Sequence, residues 1–179
     1  MVATYHGHDE LATHLIKAGA EQTIFEAAMT GSTPRLRVLV AEQPTLVNAY
    51  APDGFFPLAL AAYFGHTDAA EFLLCNGANV NMAARNGQRV TALHAATAGQ
   101  HLEIAQALVA HGADVNCIQE GGYTPLHAAA QNGQIAMIAL LLGHGADREK
   151  CLDDGRTAFD LAVGAGHAQV ADMVAIGRT

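Results

Sequence analysis

Ten histidines are the first residues in this sequence that could carry chemistry, because imidazole serves as a metal ligand and as a general base. Eight of them recur at corresponding places along the chain; these are His8, His66, His94, His101, His111, His127, His144 and His167. Recurrence in a repeated unit is explained by the structure of the unit, whereas a metal site needs ligands gathered at one point. No His-Glu-x-x-His motif is present, and His6 with His8 is too short a cluster to define a site. We therefore expect no metal site and no catalytic histidine.

The remaining reactive side chains form no catalytic arrangement in the sequence. The three cysteines are an odd number without a CxxC pair, which favours free thiols in the reducing cytoplasm. The chain has no nucleophile elbow, no phosphate-binding loop and no dinucleotide-binding glycine motif. Asp153 and Asp154 precede Gly155, and Asp-Gly is typical of a loop turn. We predict a cytoplasmic protein that is not an enzyme and uses no cofactor.

Composition and charge argue against two classes of partner. The 179 residues are 51% hydrophobic and 15% charged, which is enough apolar material for a packed core. Lys and Arg number 9 against 17 Asp and Glu, for a net charge of -8, whereas nucleic-acid-binding proteins usually carry a basic surface. No apolar run approaches the roughly 18 residues of a membrane-spanning helix, and the N-terminus lacks the pattern of a signal peptide. We expect neither a nucleic acid nor a membrane as partner.

A repeated hexapeptide organises the chain. Residues 91–96 read TALHAA and residues 124–129 read TPLHAA, and looser copies begin at Phe56 and Thr157. The starts are separated by 35, 33 and 33 residues. A second signature, Gly-Ala followed by Asn or Asp, closes three of the units; its glycines are Gly77, Gly112 and Gly145. A fixed period of this length is typical of a solenoid of stacked units.

The two signatures together resemble the ankyrin-repeat family, whose period is about 33 residues and whose motif is Thr-Pro-Leu-His-x-Ala. The resemblance covers essentially the whole chain and implies an all-α fold, a solenoid of stacked helix-turn-helix units joined by short finger loops. It also implies that His94 and His127 hydrogen-bond backbone near the neighbouring unit's loop. Residues 1–179 then form one domain. We assign a partial repeat to 1–20 and fuller repeats to approximately 21–51, 52–84, 85–117, 118–150 and 151–179.

Individual residues predict where the helices of a unit begin and end. Pro125 suits a first helical turn, Thr124 before it can cap the helix, and Gly133 can end it. The helix that follows, before Gly145, is apolar on most of its circumference, as expected of a helix buried between neighbours. The same pattern predicts helices at 57–64, 67–75, 92–99, 102–110, 158–165 and 168–176.

Departures from the repeat pattern indicate where a partner would bind. The resemblance implies binding on the concave side, which the finger loops and the exposed faces of the first helices form. Five of the ten aromatic residues lie between residues 50 and 64, and the next finger carries two extra residues between Gly87 and Thr91. Aromatic and arginine side chains dominate interface energetics, so we predict a partner-binding surface there. It comprises Tyr50, Phe55, Phe56, Tyr63, Arg85, Gln88, Arg89 and Tyr123.

The aromatic cluster has a second interpretation, which the sequence leaves open. Phe56 stands where other units have a capping threonine, and Ala59 stands where they have a histidine. Some of the aromatic rings would then fill the space of the missing side chains instead of contacting a partner. The finger loops carry five basic and seven acidic residues, and this mixed charge favours a protein partner.

The function we predict is that of a protein–protein interaction module. One alternative is an inhibitor or immunity-type regulatory subunit of a specific enzyme, which would use the same surface. Another is a self-assembling structural protein, because both ends of the chain carry apolar residues that terminal repeats usually replace with polar ones. Such assembly would form a homodimer through the terminal repeats; the residues concerned are Val2, Leu11, Leu15, Val170, Met173, Val174 and Ile176.

Overall fold

The computed structural model describes residues 22–175, and within that range the chain forms five pairs of α-helices and no β-strand. The helices are α1 (Ile24–Met29), α2 (Thr33–Glu42), α3 (Pro57–Phe64), α4 (Thr67–Cys75), α5 (Ala92–Ala98), α6 (Leu102–Ala110), α7 (Pro125–Gln131), α8 (Ile135–Gly143), α9 (Ala158–Gly164) and α10 (Ala168–Val174). The predicted all-α stack is confirmed. The predicted partial repeat at 1–20 lies outside the described residues. None of the described helices is both long and apolar enough to cross a membrane.

The helices stack in two rows. First helices pack on first helices, α1 on α3, α3 on α5, α5 on α7 and α7 on α9, and the second helices follow the same order. One alanine at the same place in every unit is fully buried; these residues are Ala28, Ala61, Ala96, Ala129 and Ala162, each 0% exposed. Since the distance between packed helices depends on the side chains at the contact, these alanines allow the units to stack closely.

The C-terminal end differs from the exposed apolar end that the sequence suggested. Val170 is 1% exposed and Val174 is 0% exposed, because α10 packs against α8 and α9. They are core residues and are not available to a second copy, so this part of the prediction was wrong. Val163 on α9 is 55% exposed. Met173 is half-buried against the core. The other residues of that prediction, Val2, Leu11, Leu15 and Ile176, lie outside the described part of the chain.

Capping boxes fix the start of most first helices. At α5 the Thr91 N–H donates to His94 Nδ1 at 3.4 Å, and the His94 N–H donates to Thr91 Oγ1 at 3.4 Å. The same reciprocal arrangement links Thr124 with His127 at α7, and α9 uses Thr157 with Asp160. Capping satisfies N–H groups that have no partner within the helix. The α3 helix begins at Pro57, and Phe56 before it provides no side-chain cap, so only the proline at the first position favours this helix start.

Asparagines join successive units on the loop side. Asn81 Nδ2 donates to Gly112 O at 3.1 Å, and its Oδ1 accepts from Asp114 N at 2.8 Å. Asn116 repeats both bonds one unit later, with Gly145 O at 2.9 Å and Asp147 N at 2.8 Å. Each side chain thus satisfies one orphan carbonyl at the end of a second helix and one amide of the following loop.

Replacing Asn116 with Ala is expected to lower the free energy of unfolding by about 1–2 kcal/mol, because two hydrogen bonds between units are lost. The measurement is urea unfolding followed by circular dichroism. The matched control is Asn132→Ala, since Asn132 is exposed at the end of α7, and it should cost under about 0.5 kcal/mol. Equal losses in the two variants would contradict a joining role for Asn116.

Side chains at the turn between paired helices form a second row of links. His66 Nε2 bonds Met29 O at 2.8 Å, and His101 Nε2 bonds Tyr63 O at 3.1 Å. Gln134 takes the same role with Thr97 O at 2.9 Å. In each case the start of a second helix is tied to the end of the first helix in the preceding unit. Tyr63 is therefore held in place from the next unit along the chain.

Candidate functional site

A groove of about 720 Å³ opens between α3 and α5 and the finger loops that lie beside them. Its lining residues are Phe55, Ala59, Leu60, Tyr63, Phe64, Gln88, Val90, His94, Ala95, Ala98, Gln119, Glu120 and Gly121. Two first helices form the floor, and the lengthened finger at 85–90 with the following finger forms one side. Ligand sites in proteins commonly have this size and this mixture of apolar wall and few polar groups.

Small side chains at two positions make the floor of the groove. Ala59 is the third residue of α3, where α5 and α7 carry His94 and His127. Ala98 ends α5 at the position that Tyr63 holds in the preceding unit. The groove therefore lies where Ala59 takes the place of the His94 ring of the next unit and Ala98 takes the place of the Tyr63 ring of the preceding one.

The wall of the groove is mostly apolar. Phe55, Phe64 and Val90 are partly buried against the core, and Leu60 is 4% exposed. Tyr63 is 53% exposed, and its ring meets that of Phe64 edge to face with centroids 5.2 Å apart. A large aromatic ring held at a groove and still open to water is the kind of side chain that anchors interfaces.

The polar part of the lining contains one charged residue, Glu120, which is exposed. The carboxylate lies beside the lengthened finger, since Glu120 Oε2 is 3.9 Å from the place a Cβ would take on Gly87. The Glu120 N–H also donates to Gln88 O at 3.1 Å, which joins the two fingertips. His94 adds no charge at neutral pH, because burial lowers its pKa to about 4. The lining is therefore acidic and has no cation.

His94 also contacts a cysteine, and Cys–His pairs can serve nucleophilic catalysis when the thiol is ionised. Cys117 Sγ lies 3.5 Å from His94 Nδ1 and 3.3 Å from Thr91 Oγ1. Burial raises the pKa of the Cys117 thiol to about 11, while His94 resists protonation for the same reason. A nucleophilic cysteine needs the thiolate, so this pair fastens a finger to the unit before it and is not set up for nucleophilic attack. Among residues 22–175 no group of three or more His, Cys, Asp or Glu side chains could hold a metal ion.

Both histidines face backbone of the neighbouring finger, as the family resemblance implied, but they do so at different distances. His94 Nε2 bonds Tyr123 O at 3.2 Å. The Nε2 atom of His127 is buried and has no partner within normal bonding distance. The His127 ring nevertheless interacts with the backbone of Lys150 and Arg156, which counteracts the lowering of its pKa by burial.

Three of the eight residues predicted to bind a partner line the groove together. They are Phe55, Tyr63 and Gln88, from the finger before α3, the end of α3 and the tip of the lengthened finger. Tyr50 and Arg85 lie outside the lining. The Arg85 guanidinium stacks 4.0 Å from the Tyr50 ring centroid, and Tyr50 donates a hydrogen bond to Ala83 O at 3.0 Å. This pair joins two adjacent fingers.

Phe56 is a correction, because its ring is buried and only 1% exposed. The position is that of the capping threonines Thr91 and Thr124, which are also buried. Phe56 fills this space in the core and meets Tyr50 edge to face at 6.3 Å. It cannot contact a partner, so for Phe56 the packing interpretation holds.

Tyr123 lies one unit beyond the groove. Its hydroxyl donates to Gln131 Oε1, and its ring centroid is 5.7 Å from that of His127. Its backbone carbonyl accepts the bond from His94. The side chain is half-buried and is not part of the lining.

Arg89 is exposed at the tip of the lengthened finger and has a left-handed backbone, with φ of 54°. Glycine occupies the same place, two residues before the helix cap, in the other three fingers; these residues are Gly54, Gly122 and Gly155. A non-glycine residue in this conformation costs about 1–2 kcal/mol. Gln100, with φ of 63°, is in the same situation at the turn between α5 and α6.

Replacing Arg89 or Gln100 with Gly is expected to raise the free energy of unfolding by about 0.5–1 kcal/mol each. The relief of the left-handed conformation exceeds the extra freedom that glycine gains in the unfolded chain. Thermal unfolding of both single variants and of the double variant measures the effect, which should be additive because the two sites share no partner. A loss of stability in either variant would show that its side chain contributes more than its backbone strain removes.

Sequence reasoning missed the residues that give the groove its shape. Ala59, Ala95 and Ala98 form its floor, Leu60 is part of its wall, and Gln119 with Glu120 forms part of the rim. The available signal was a small residue at a position that holds a large one in neighbouring units. Ala98 against Tyr63 and Gln131 shows this pattern in the sequence alone.

Comparison with known protein families gives one result. A family model described as ankyrin repeats (3 copies) matches the chain at residues 1–84, 24–119 and 93–177. The matches together extend over nearly the whole sequence and include both helices and both fingers that border the groove.

Proposed function

Since the chain belongs to the ankyrin-repeat family, we propose that it is a protein-interaction module whose partner binds in the groove between α3 and α5. Ankyrin repeats are generally protein–protein interaction modules, and the family is typically non-catalytic. The observation that carries the proposal is the exposed Tyr63 ring at the mouth of an apolar groove.

The composition of the groove supports this function. Interfaces gain most of their binding free energy from a few aromatic anchors in desolvated pockets, surrounded by a polar rim. Phe55, Tyr63 and Phe64 provide the aromatic part, and Gln88 and Glu120 lie on the rim. The alanine floor leaves room for side chains of the partner to enter.

The groove is also held in shape before any partner arrives. Tyr63 is tied to the next unit through His101, and the two fingertips are joined through Glu120 and Gln88. The α5 helix that forms half of the floor begins with a capping box at Thr91. A preformed groove loses little conformational entropy on binding, so more of the contact energy is retained as affinity.

Filling the groove tests the proposal. Ala98→Tyr places in α5 the side chain that α3 has at the corresponding position, and Ala98 is exposed, so the variant should fold. We expect it to lose the partner in affinity capture from an extract of the cells that make the protein. The matched control is Ala110→Tyr, an exposed alanine at the end of α6 outside the groove. Partner retention by Ala98→Tyr at the wild-type level would contradict binding in the groove.

A further inference from the structure

We infer that the groove takes a short segment of a partner protein that carries a large apolar side chain and, within a few residues of it, a lysine or arginine that pairs with Glu120. This inference rests on the proposed function and specifies the chemistry of the partner. It follows from the distribution of charge and apolar surface in the groove.

The charge of the lining supports the inferred lysine or arginine in the partner. Glu120 is exposed, is the only charged residue in the lining, and forms no ion pair among residues 22–175. The arginines on the fingers are differently placed. Arg85 stacks on Tyr50, and Arg156 forms an ion pair with Asp154 at 2.7 Å. Arg89 is exposed at the fingertip, lies outside the lining and forms no ion pair with Glu120. A cation arriving at the groove therefore meets a carboxylate without a competing ion pair, and a chain of net charge -8 favours its approach.

The apolar wall of the groove supports the inferred large apolar side chain in the partner. Phe55, Leu60, Tyr63, Phe64 and Val90 surround a space whose floor is alanine. Filling it with a large apolar side chain removes the exposed face of Tyr63 from water, which is favourable in proportion to the apolar area buried. The groove is larger than one side chain, so an occupant would place several consecutive residues in it.

The apolar wall and Glu120 belong to the same groove, so the apolar residue and the basic residue must lie close together in the partner's sequence. One extended residue spans about 3.3 Å, so an apolar anchor and a basic residue a few positions apart can reach the wall and the carboxylate together. Gln88 and Gln119 also belong to the lining, and their side-chain amides can bond the backbone of the segment.

A random library of dodecapeptides displayed on phage is the probe. Panned against the full chain, it should yield peptides with an aromatic or large aliphatic residue and a Lys or Arg within a few positions. Binding of a selected synthetic peptide should weaken about tenfold or more in Glu120→Lys, because the pair becomes a repulsion. Glu71→Lys on α4 makes the same change of net charge away from the groove and should leave the affinity within about twofold.

The Ala98→Tyr and Glu120→Lys variants distinguish failure of this inference from failure of the proposed function. If Ala98→Tyr abolishes peptide binding while Glu120→Lys changes nothing, the groove binds proteins and the inferred basic residue is wrong. Enrichment of acidic or wholly apolar peptides would overturn it in the same way. If the peptides bind Ala98→Tyr as well as wild type, or if no peptide is enriched, both the inference and the groove as the binding site are contradicted.

Discussion

Acidification from pH 7.5 to pH 4 is expected to remove about 3 kcal/mol from the free energy of unfolding through His94 alone. This imidazole is 3% exposed, and burial lowers its pKa from 6.5 to about 4, although its bond to Tyr123 O and the Asp114 carboxylate act in the opposite direction. The unfolded chain takes up a proton near pH 6.5, whereas the folded chain stays neutral at this site until about pH 4.

The direction of the effect follows from this difference in proton uptake. Between pH 6.5 and pH 4 the unfolded state binds more protons at His94 than the folded state, so stability falls as the pH falls. Well above pH 6.5 and well below pH 4 the contribution is constant. His127 adds to the loss in the same direction, because burial lowers its pKa too.

The matched variant is His94→Gln, since glutamine at the third helical position can complete a capping box but does not titrate. Urea unfolding of both proteins at a series of pH values isolates the His94 contribution, because acids such as Asp160 titrate alike in both. Wild type should lose about 3 kcal/mol more than His94→Gln between pH 7.5 and pH 4. Parallel curves for the two proteins would show that His94 titrates normally in the folded state.

The second large effect is expected at Gly65, where substitution by Ala should cost about 3 kcal/mol of unfolding free energy. Gly65 has φ of 78°, and a Cβ there would lie 2.4 Å from Cε1 of His101. The imidazole cannot move away freely, because its Nε2 bonds Tyr63 O in the preceding unit. The variant therefore combines backbone strain with overpacking between two units.

Substitution of Gly77 by Ala distinguishes the cost of backbone strain from the cost of overpacking. Gly77 has φ of 87°, but a Cβ added there would meet nothing within 4 Å, so Gly77→Ala should cost only about 1 kcal/mol. Gly65→Ala should also weaken groove binding, because moving His101 releases the backbone of Tyr63, whereas Gly77→Ala should not. Equal costs in urea unfolding would mean that the His101 ring yields without loss.

The repeat motif was sufficient to predict most of the fold. Pro57 and Pro125 mark the starts of first helices, and glycine with φ near 80° at Gly65 marks the end of one, so the predicted helices agree with the observed ones within two residues. These signals are local, and every unit repeats them. Stacking then follows from the fixed period, because no unit can bury its apolar faces alone.

The binding surface was harder to predict, for physical reasons that particular residues show. Phe56 looks like a surface aromatic by type, but it occupies a capping position that stacking buries in the other units as well. Ala98 can be recognised only by comparison with Tyr63 and Gln131 at the same position of adjacent units, because a groove is made by the side chain that is missing. Tyr63, Phe55 and Gln88 were predicted as binding residues from aromatic content and finger length, and that role remains a prediction.

The two non-glycine residues in the left-handed region lie in the same unit. Arg89 and Gln100 both belong to the unit that supplies α5, half of the groove floor. Backbone strain of this kind is often retained where the side chain has a use. A binding assay on Arg89→Gly, with Gln100→Gly as control, would show whether the guanidinium at the fingertip contributes to capture.

The most direct test of the central claim is photo-crosslinking from inside the groove. Tyr63 would be replaced by the photoreactive residue p-benzoylphenylalanine, with Val38 on α2, 45% exposed, replaced in a second protein as control. After irradiation in an extract of the cells that make the protein, position 63 should form a defined adduct that position 38 does not. Adducts of the same kind from both positions, or none from position 63, would contradict binding in the groove.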